Sequence, residues 1–263
     1  MEETRKVIMT GAIFIAIIVI GFGVYFLFIA DGSKEAPAEE ILEKKPVDLP
    51  IEEPLREEEA PEFINVDLSQ SDDIVRKLAQ ELSSHPELAA WLVSRDLIRK
   101  FVAAVDNIAN GMSPRPQIDF FSSKGGFKFI KKKGLLYMDP TSYSRYDKVA
   151  DVFLSLNSEE CAMLYRRLEP LIQEAYKDLG YPKGDFRKTL TKAIVELLEV
   201  PVIEGDILIE KKIITYKMSD PGLEKLSGAQ KHLFRMGPEN TRIIQEKLRE
   251  MASALRIPAE QLQ

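Results

Sequence analysis

The stretch Leu97-Ile98-Arg99-Lys100-Phe101-Val102-Ala103-Ala104-Val105-Asp106-Asn107-Ile108-Ala109-Asn110-Gly111 decides the fold class. Leu97, Ile98, Phe101, Val102, Val105 and Ile108 recur at three- and four-residue spacing, which lines one broad face of a helix. Ser94 or Arg95 is expected to open this helix, and Gly111 to end it. The same period appears on both sides. Upstream, Ser71-Asp72-Asp73 supplies capping residues ahead of Ile74, Leu78 and Leu82, and Pro86 begins a short helix through Trp91-Leu92-Val93. Downstream, helices are expected over 143–156 (Val149, Val152, Phe153, Leu156 inward), from Ser158 to Gly180 (Leu164, Leu168, Leu171, Ile172, Ala175, Leu179) and over 185–200 (Leu190, Ile194, Leu197, Leu198). Short helices follow from Asp220-Pro221 and Ser227. The last runs from Pro238 to about Arg256, with Ile243, Ile244, Leu248, Met251 and Leu255 inward. Pro170 is expected to kink or break its helix at Glu169, because it removes a backbone bond and clashes one turn back. Only residues 114–138 and 207–218 alternate instead. Gln117 to Phe121, Gly125-Gly126, Phe127 to Ile130, then Gly134 and Leu135-Leu136-Tyr137 predict two or three short strands; Ile207, Ile209, Ile213, Tyr216 and Met218 predict a strand or hairpin.

Further out lies a run of different character. From Val7 to Ala30, 24 residues carry no charged side chain. As a helix it is roughly 36 Å long, enough to cross a hydrocarbon core of about 30 Å. It is longer than the apolar region of a signal peptide, Phe28 sits badly three residues before a cut, and no cysteine follows to take a lipid. Arg5 and Lys6 precede it, while Asp31, Glu35, Glu39 and Glu40 follow, which keeps the N-terminus in the cytoplasm. The expected location is a bacterial inner membrane with the domain in the periplasm. Residues 31–70 hold five prolines and 13 acidic against 4 basic residues, the composition of a self-repelling disordered linker. The chain's net charge is −6; with −9 in this linker and zero in residues 1–30, residues 71–263 carry +3. The expected architecture is therefore mainly α: residues 1–6 cytoplasmic, 7–30 a single transmembrane helix, 31–70 an acidic linker, 71–257 one compact multi-helix domain with a small β-hairpin or sheet, and 258–263 a tail.

The motifs of common chemistries are missing. There is no phosphate-binding G-x-x-x-x-G-K, no H-E-x-x-H, no G-x-S-x-G and no C-x-x-C. Cys161 is alone, so neither an internal disulfide nor a multi-cysteine metal site can form within the chain, and a buried structural thiol is expected. His85 and His232 are the only histidines and read as ordinary ones. No cofactor, metal or nucleic acid is implied.

Four polar clusters remain. Arg99 shares a helix face with Asp106 two turns on, where Asp106-Asn107 also suits capping the helix end. Tyr143-Ser144-Arg145-Tyr146-Asp147 presents a planar guanidinium between tyrosines, fit for a carboxylate or phosphate, or for an internal pair with Asp106 or Glu169. Tyr165-Arg166-Arg167 with Tyr176 and Tyr181 combines residue types enriched at interfaces and at the edges of ordinary cores. Gln230-Lys231-His232 with Arg235-Met236-Gly237-Pro238-Glu239-Asn240 sets Arg235 beside the first-turn amides of a new helix, either an anion site or a tight corner.

The motifs Phe101-Val102-x-x-Val105-Asp106-Asn107, Asp139-Pro140-x-x-Tyr143-x-Arg145-Tyr146-Asp147, Ala175-Tyr176-x-x-Leu179-Gly180-Tyr181-Pro182 and Gln230-Lys231-x-x-x-Arg235-Met236-Gly237-Pro238-Glu239-Asn240 occur in this order. In this the chain resembles the DUF3014 family over residues 71 to about 256. The resemblance implies a bacterial protein, often with an N-terminal membrane anchor, and supplies no activity. Where the family reads Asp-Asn-Leu-Pro, this chain has Asp106-Asn107-Ile108-Ala109, so the helix is expected to run slightly further. Three functional readings follow. The first is a tethered, non-catalytic interaction or scaffold module of the envelope, partnered by the membrane through residues 7–30 and by another envelope protein. The second is a binding domain for an anionic periplasmic small molecule or glycan, using Arg145, Arg166 and Arg235. The third is a hydrolase using the paired carboxylates Asp106 and Asp147.

Overall fold

The computed structural model describes residues 62–117, 126–213 and 215–262. The apolar run 7–30 and the acidic segment up to residue 61 lie outside these, as do residues 118–121 of the expected first strand. Among the described residues are nine α-helices and one four-stranded antiparallel sheet. None of these helices is long and apolar enough to cross a membrane.

The chain enters through Ile64 and Leu68, which are 7% and 6% exposed and belong to the core. Residues 62–70, assigned above to the linker, are therefore part of the folded unit. The 31–70 stretch is acidic and proline-rich on average, but all five of its prolines precede residue 62, and Ile64 and Leu68 stand four apart and are buried. A 3₁₀ turn, Leu68–Gln70, leads into α1 (Asp72–Gln80) and α2 (Pro86–Trp91). Ser71 does not cap α1; its hydroxyl donates backwards to the Leu68 carbonyl at 2.8 Å. Helix α3 (Leu97–Ala109) begins at Leu97 and not at Ser94 or Arg95. Its cap comes from a distant residue: the Asp72 carboxylate accepts the amides of Asp96 at 2.7 Å and Leu97 at 2.9 Å.

Strands β1 (Phe129–Lys132) and β2 (Leu135–Met138) form a hairpin about Lys133-Gly134, both at positive φ (49° and 82°). That is the twist-matched two-residue turn. Gln117, expected in a strand, lies in a turn. A 3₁₀ segment, Pro140–Tyr146, then joins α4 (Asp147–Ser155). Helix α5 (Ser158–Asp178) runs on through Pro170, so of the kink or break expected at Glu169 the break does not occur. Pro170 is exposed, so its ring faces away from the core. Next to the carbonyl that the proline leaves unpaired, Arg167 O accepts from Ile64 N at 3.1 Å, so the incoming chain uses the disturbed ladder.

Helix α6 (Phe186–Leu198) leads to β3 (Leu208–Lys211) and β4 (Tyr216–Met218), then α7 (Pro221–Lys225), α8 (Gly228–Phe234) and α9 (Pro238–Ala254). Of the tail expected over 258–263, the described residues do not hang free: Ala259–Leu262 forms a 3₁₀ turn, and Leu262 packs on the core. Sheet order is β1-β2-β3-β4. Phe129 and Tyr216 sit on opposite edge strands, yet their ring centroids are 5.3 Å apart, so the sheet curls strongly over its inner face.

Two apolar clusters hold the domain. One gathers Val102, Ala162, Phe186 and Ala252 from α3, α5, α6 and the end of α9. The other packs Met138, Ile209 and Met218 of the sheet against Val152, Leu233 and Ile244. Helix α9 serves both, with Leu248 touching each.

Candidate functional site

The polar motif residues are built into the helix ends. Asn240, in the first turn of α9, is 5% exposed, and its Nδ2 donates to Met236 O (3.0 Å), Asp147 Oδ1 (3.1 Å) and Tyr143 O (3.2 Å). Gly237 lies at φ +91°, with the Tyr143 ring against its α-carbon. Burial raises the pKa of Tyr143, helped by Asp139 and Asp206. Asp147, Tyr143 and Asn240 thus converge, as a joint between α4 and α9. Arg145 Nε donates to Ser142 O at 2.7 Å, and its guanidinium stacks 5.2 Å from the Tyr146 ring centroid.

Gln230 closes a capping box with Ser227 and donates from Nε2 to Glu196 O near the end of α6. Gln245 completes that end, donating to Leu197, Leu198 and Val200 carbonyls. Arg166 Nη1 and Arg187 Nη2 donate to Ala254 O (3.2 Å) and Leu255 O (2.6 Å), capping the C-terminus of α9. Lys247, 8% exposed, caps α4 through Leu156 O. Each places a donor where unpaired carbonyls and the negative end of a helix dipole meet.

At the end of α3, Asp106 accepts from Asn110 Nδ2 (3.1 Å) and, at longer range, from the Tyr181 hydroxyl (3.4 Å). Asn107 Nδ2 donates to Gln117 Oε1 at 2.6 Å. Tyr176 is buried, stacks on Tyr181 with centroids 4.5 Å apart and bonds Thr189 Oγ1. Arg99 makes an exposed pair with Asp178 at 3.2 Å. Cys161 is half-buried, and desolvation pushes its thiol up to about 11, so it stays protonated and inert at neutral pH.

Residues 97–252 match the model of DUF3014, described as a protein of unknown function. The chain belongs to the DUF3014 family. No curated protein and no solved structure matches it. In this DUF3014 member the four motifs lie at helix ends and joints, with Gln230 capping α6 and Asn240 fastening the start of α9 to α4.

One cluster in it is not consumed this way. The Ser113 hydroxyl meets His232 Nδ1 at 3.0 Å. Burial, then the charges of Arg115 and Arg235, lower the pKa of His232, so the ring is neutral. Arg115 and Arg235 are exposed and make no ion pair among the described residues. An imidazole that is neutral at neutral pH and a hydroxyl meet in this corner, with the charges of Arg115 and Arg235 acting on the ring. Sequence reasoning identified Arg235 here and missed Ser113 and Arg115, whose local sequence, Ser113-Pro114-Arg115-Pro116, carries no motif. Arg166 does not join this corner. It caps the C-terminus of α9, and Arg235 precedes the N-terminus of the same 17-residue helix, about 25 Å away. Asp106 and Asp147 have separate partners, and no residue bridges them among the described residues. Among the described residues, no group of three or more His, Cys, Asp or Glu is placed to hold a metal ion.

Proposed function

We propose that the chain is a single-pass, membrane-tethered, non-catalytic interaction module of the bacterial envelope, with a cytoplasmic N-terminus and a periplasmic domain. The observation that carries this reading is the fate of the motif side chains. Asn240, Gln230, Tyr176 and Asp147 all bond within the fold, so the motif chemistry serves architecture and leaves contact to the surface. The uncharged run 7–30 and its flanking charges support the anchor and its orientation. The test is in-cell crosslinking from a photoreactive residue at Arg145 and at Arg235, read by mass spectrometry. A discrete protein adduct is expected at one of them. A folded, exported chain with no protein adduct at either site would sink this reading.

A second reading rests on the Ser113–His232 corner between Arg115 and Arg235, which suits a small anion. Inorganic phosphate bound there would favour the charged imidazolium. The expected result is an upward move of the His232 titration with phosphate, abolished by Arg235→Gln. A titration insensitive to phosphate would exclude it.

A further inference from the structure

The antiparallel meander brings its two tight turns to the same end. Leu136 pairs with Ile209 and Tyr137 with Leu208, so β3 finishes at Lys211 level with the Lys133-Gly134 turn. The β3–β4 turn, closed by Lys212 N on Thr215 O at 2.7 Å, therefore projects beside it. Lys131, Lys132 and Lys133 come from one turn, Lys211 and Lys212 from the other. Lys132 is held by Asp206 at 2.7 Å. The other four are exposed and make no ion pair among the described residues, while nearby Glu210 is occupied by Lys217 at 2.7 Å. Among these lysines stand Ile213, 97% exposed, and Leu135, 51% exposed.

We infer that this paired-turn tip docks on an anionic lipid surface, its lysines among the phosphate headgroups and Ile213 and Leu135 entering the interface. The charge is complementary, since residues 131–135 and 211–213 contain five lysines and no acid. The apolar side chains gain nothing in water and are released from it at the headgroup boundary. Two adjoining turns make a projection, which meets a plane better than it fills a groove. The inference rests on the tethered reading only for how often the tip meets a bilayer. A polyanionic protein segment, such as the acidic residues 31–61 of this chain, matches the lysines and is the competing occupant.

The test uses the full-length chain carrying Ile213→Trp in liposomes with brominated acyl chains, the unsubstituted chain with its buried Trp91 serving as blank. Quenching of the added indole is expected in phosphatidylglycerol-rich vesicles and not in phosphatidylcholine. Changing Lys133, Lys211 and Lys212 to Gln should lower the docked fraction relative to the undocked by on the order of a hundredfold, at about 1 kcal/mol per lysine near an anionic surface. No quenching, or equal quenching in both lipids, overturns the inference. Carbodiimide crosslinks from Lys211 or Lys212 to Glu57–Glu59 with no quenching overturn it in favour of the acidic segment. A chain that fails to insert through residues 7–30 refutes the anchor alone; the same quenching on vesicles added to the soluble chain then decides for or against the tip.

Discussion

Gly237 shows how much one backbone position constrains. At φ +91° a Cβ would be strained, and it would also fall 2.8 Å from Tyr143 Cβ. Gly237→Ala is therefore expected to cost about 2–5 kcal/mol, from backbone strain plus overpacking, read as a lower urea midpoint at unchanged m-value. His232 makes a different prediction. Its folded pKa lies below the ordinary value because burial and the two guanidinium groups oppose protonation. In that window the unfolded chain binds more protons, so stability rises with pH. The contribution is present above the ordinary histidine value of about 6.5 and is lost as pH falls through the lower folded value. Urea titrations in this range should show that slope in the parent and a flatter one in His232→Gln. An identical slope in both would refute the assignment. In the sequence His232 reads as an ordinary histidine, because its partner Ser113 lies 119 residues away.

At the scale of elements, boundaries are set by side chains from elsewhere. Asp72 looks in the sequence like part of a cap for its own helix, yet its carboxylate holds the first amides of α3. Asp72→Ala should cost about 1–2 kcal/mol, and amide exchange at Asp96 and Leu97 should quicken while that of α1 stays slow. Faster exchange in α1 alone would contradict the placement. His85 caps α2 through its ring, Nδ1 accepting from Glu87 N at 3.2 Å. Helices, strands and many turn residues were legible locally: Asp185, Asp220 and Ser227 cap the helices that follow them, while α5, expected to open at Ser158, is capped one residue earlier by Asn157. The C-terminal caps were not legible, since Arg166, Arg187, Gln245 and Lys247 are near their targets only after folding.

For the whole molecule, the boundary of the folded unit is the testable quantity. Ile64 and Leu68 pack into the first cluster, and Ile64 N is bonded to α5. A chain beginning at Glu62 should keep the thermal midpoint of the full domain. One beginning at Ser71 loses two core side chains at about 2–5 kcal/mol each and should be largely unfolded at physiological temperature. Equal melting of the two would place residues 62–70 outside the cooperative unit.

The sequence by itself determined the class of this protein: the apolar periods, the alternating segments, the family and the absence of common catalytic motifs, all of which depend on neighbours within a turn or two. Only the tertiary structure decided what the polar motif residues do. A hydrogen bond is a relation between two positions, and Arg166 with Ala254, Gln245 with Val200 and Tyr143 with Asn240 are 88, 45 and 97 residues apart. Only the structure, too, set two lysine turns side by side, because strand register governs which ends of a sheet coincide.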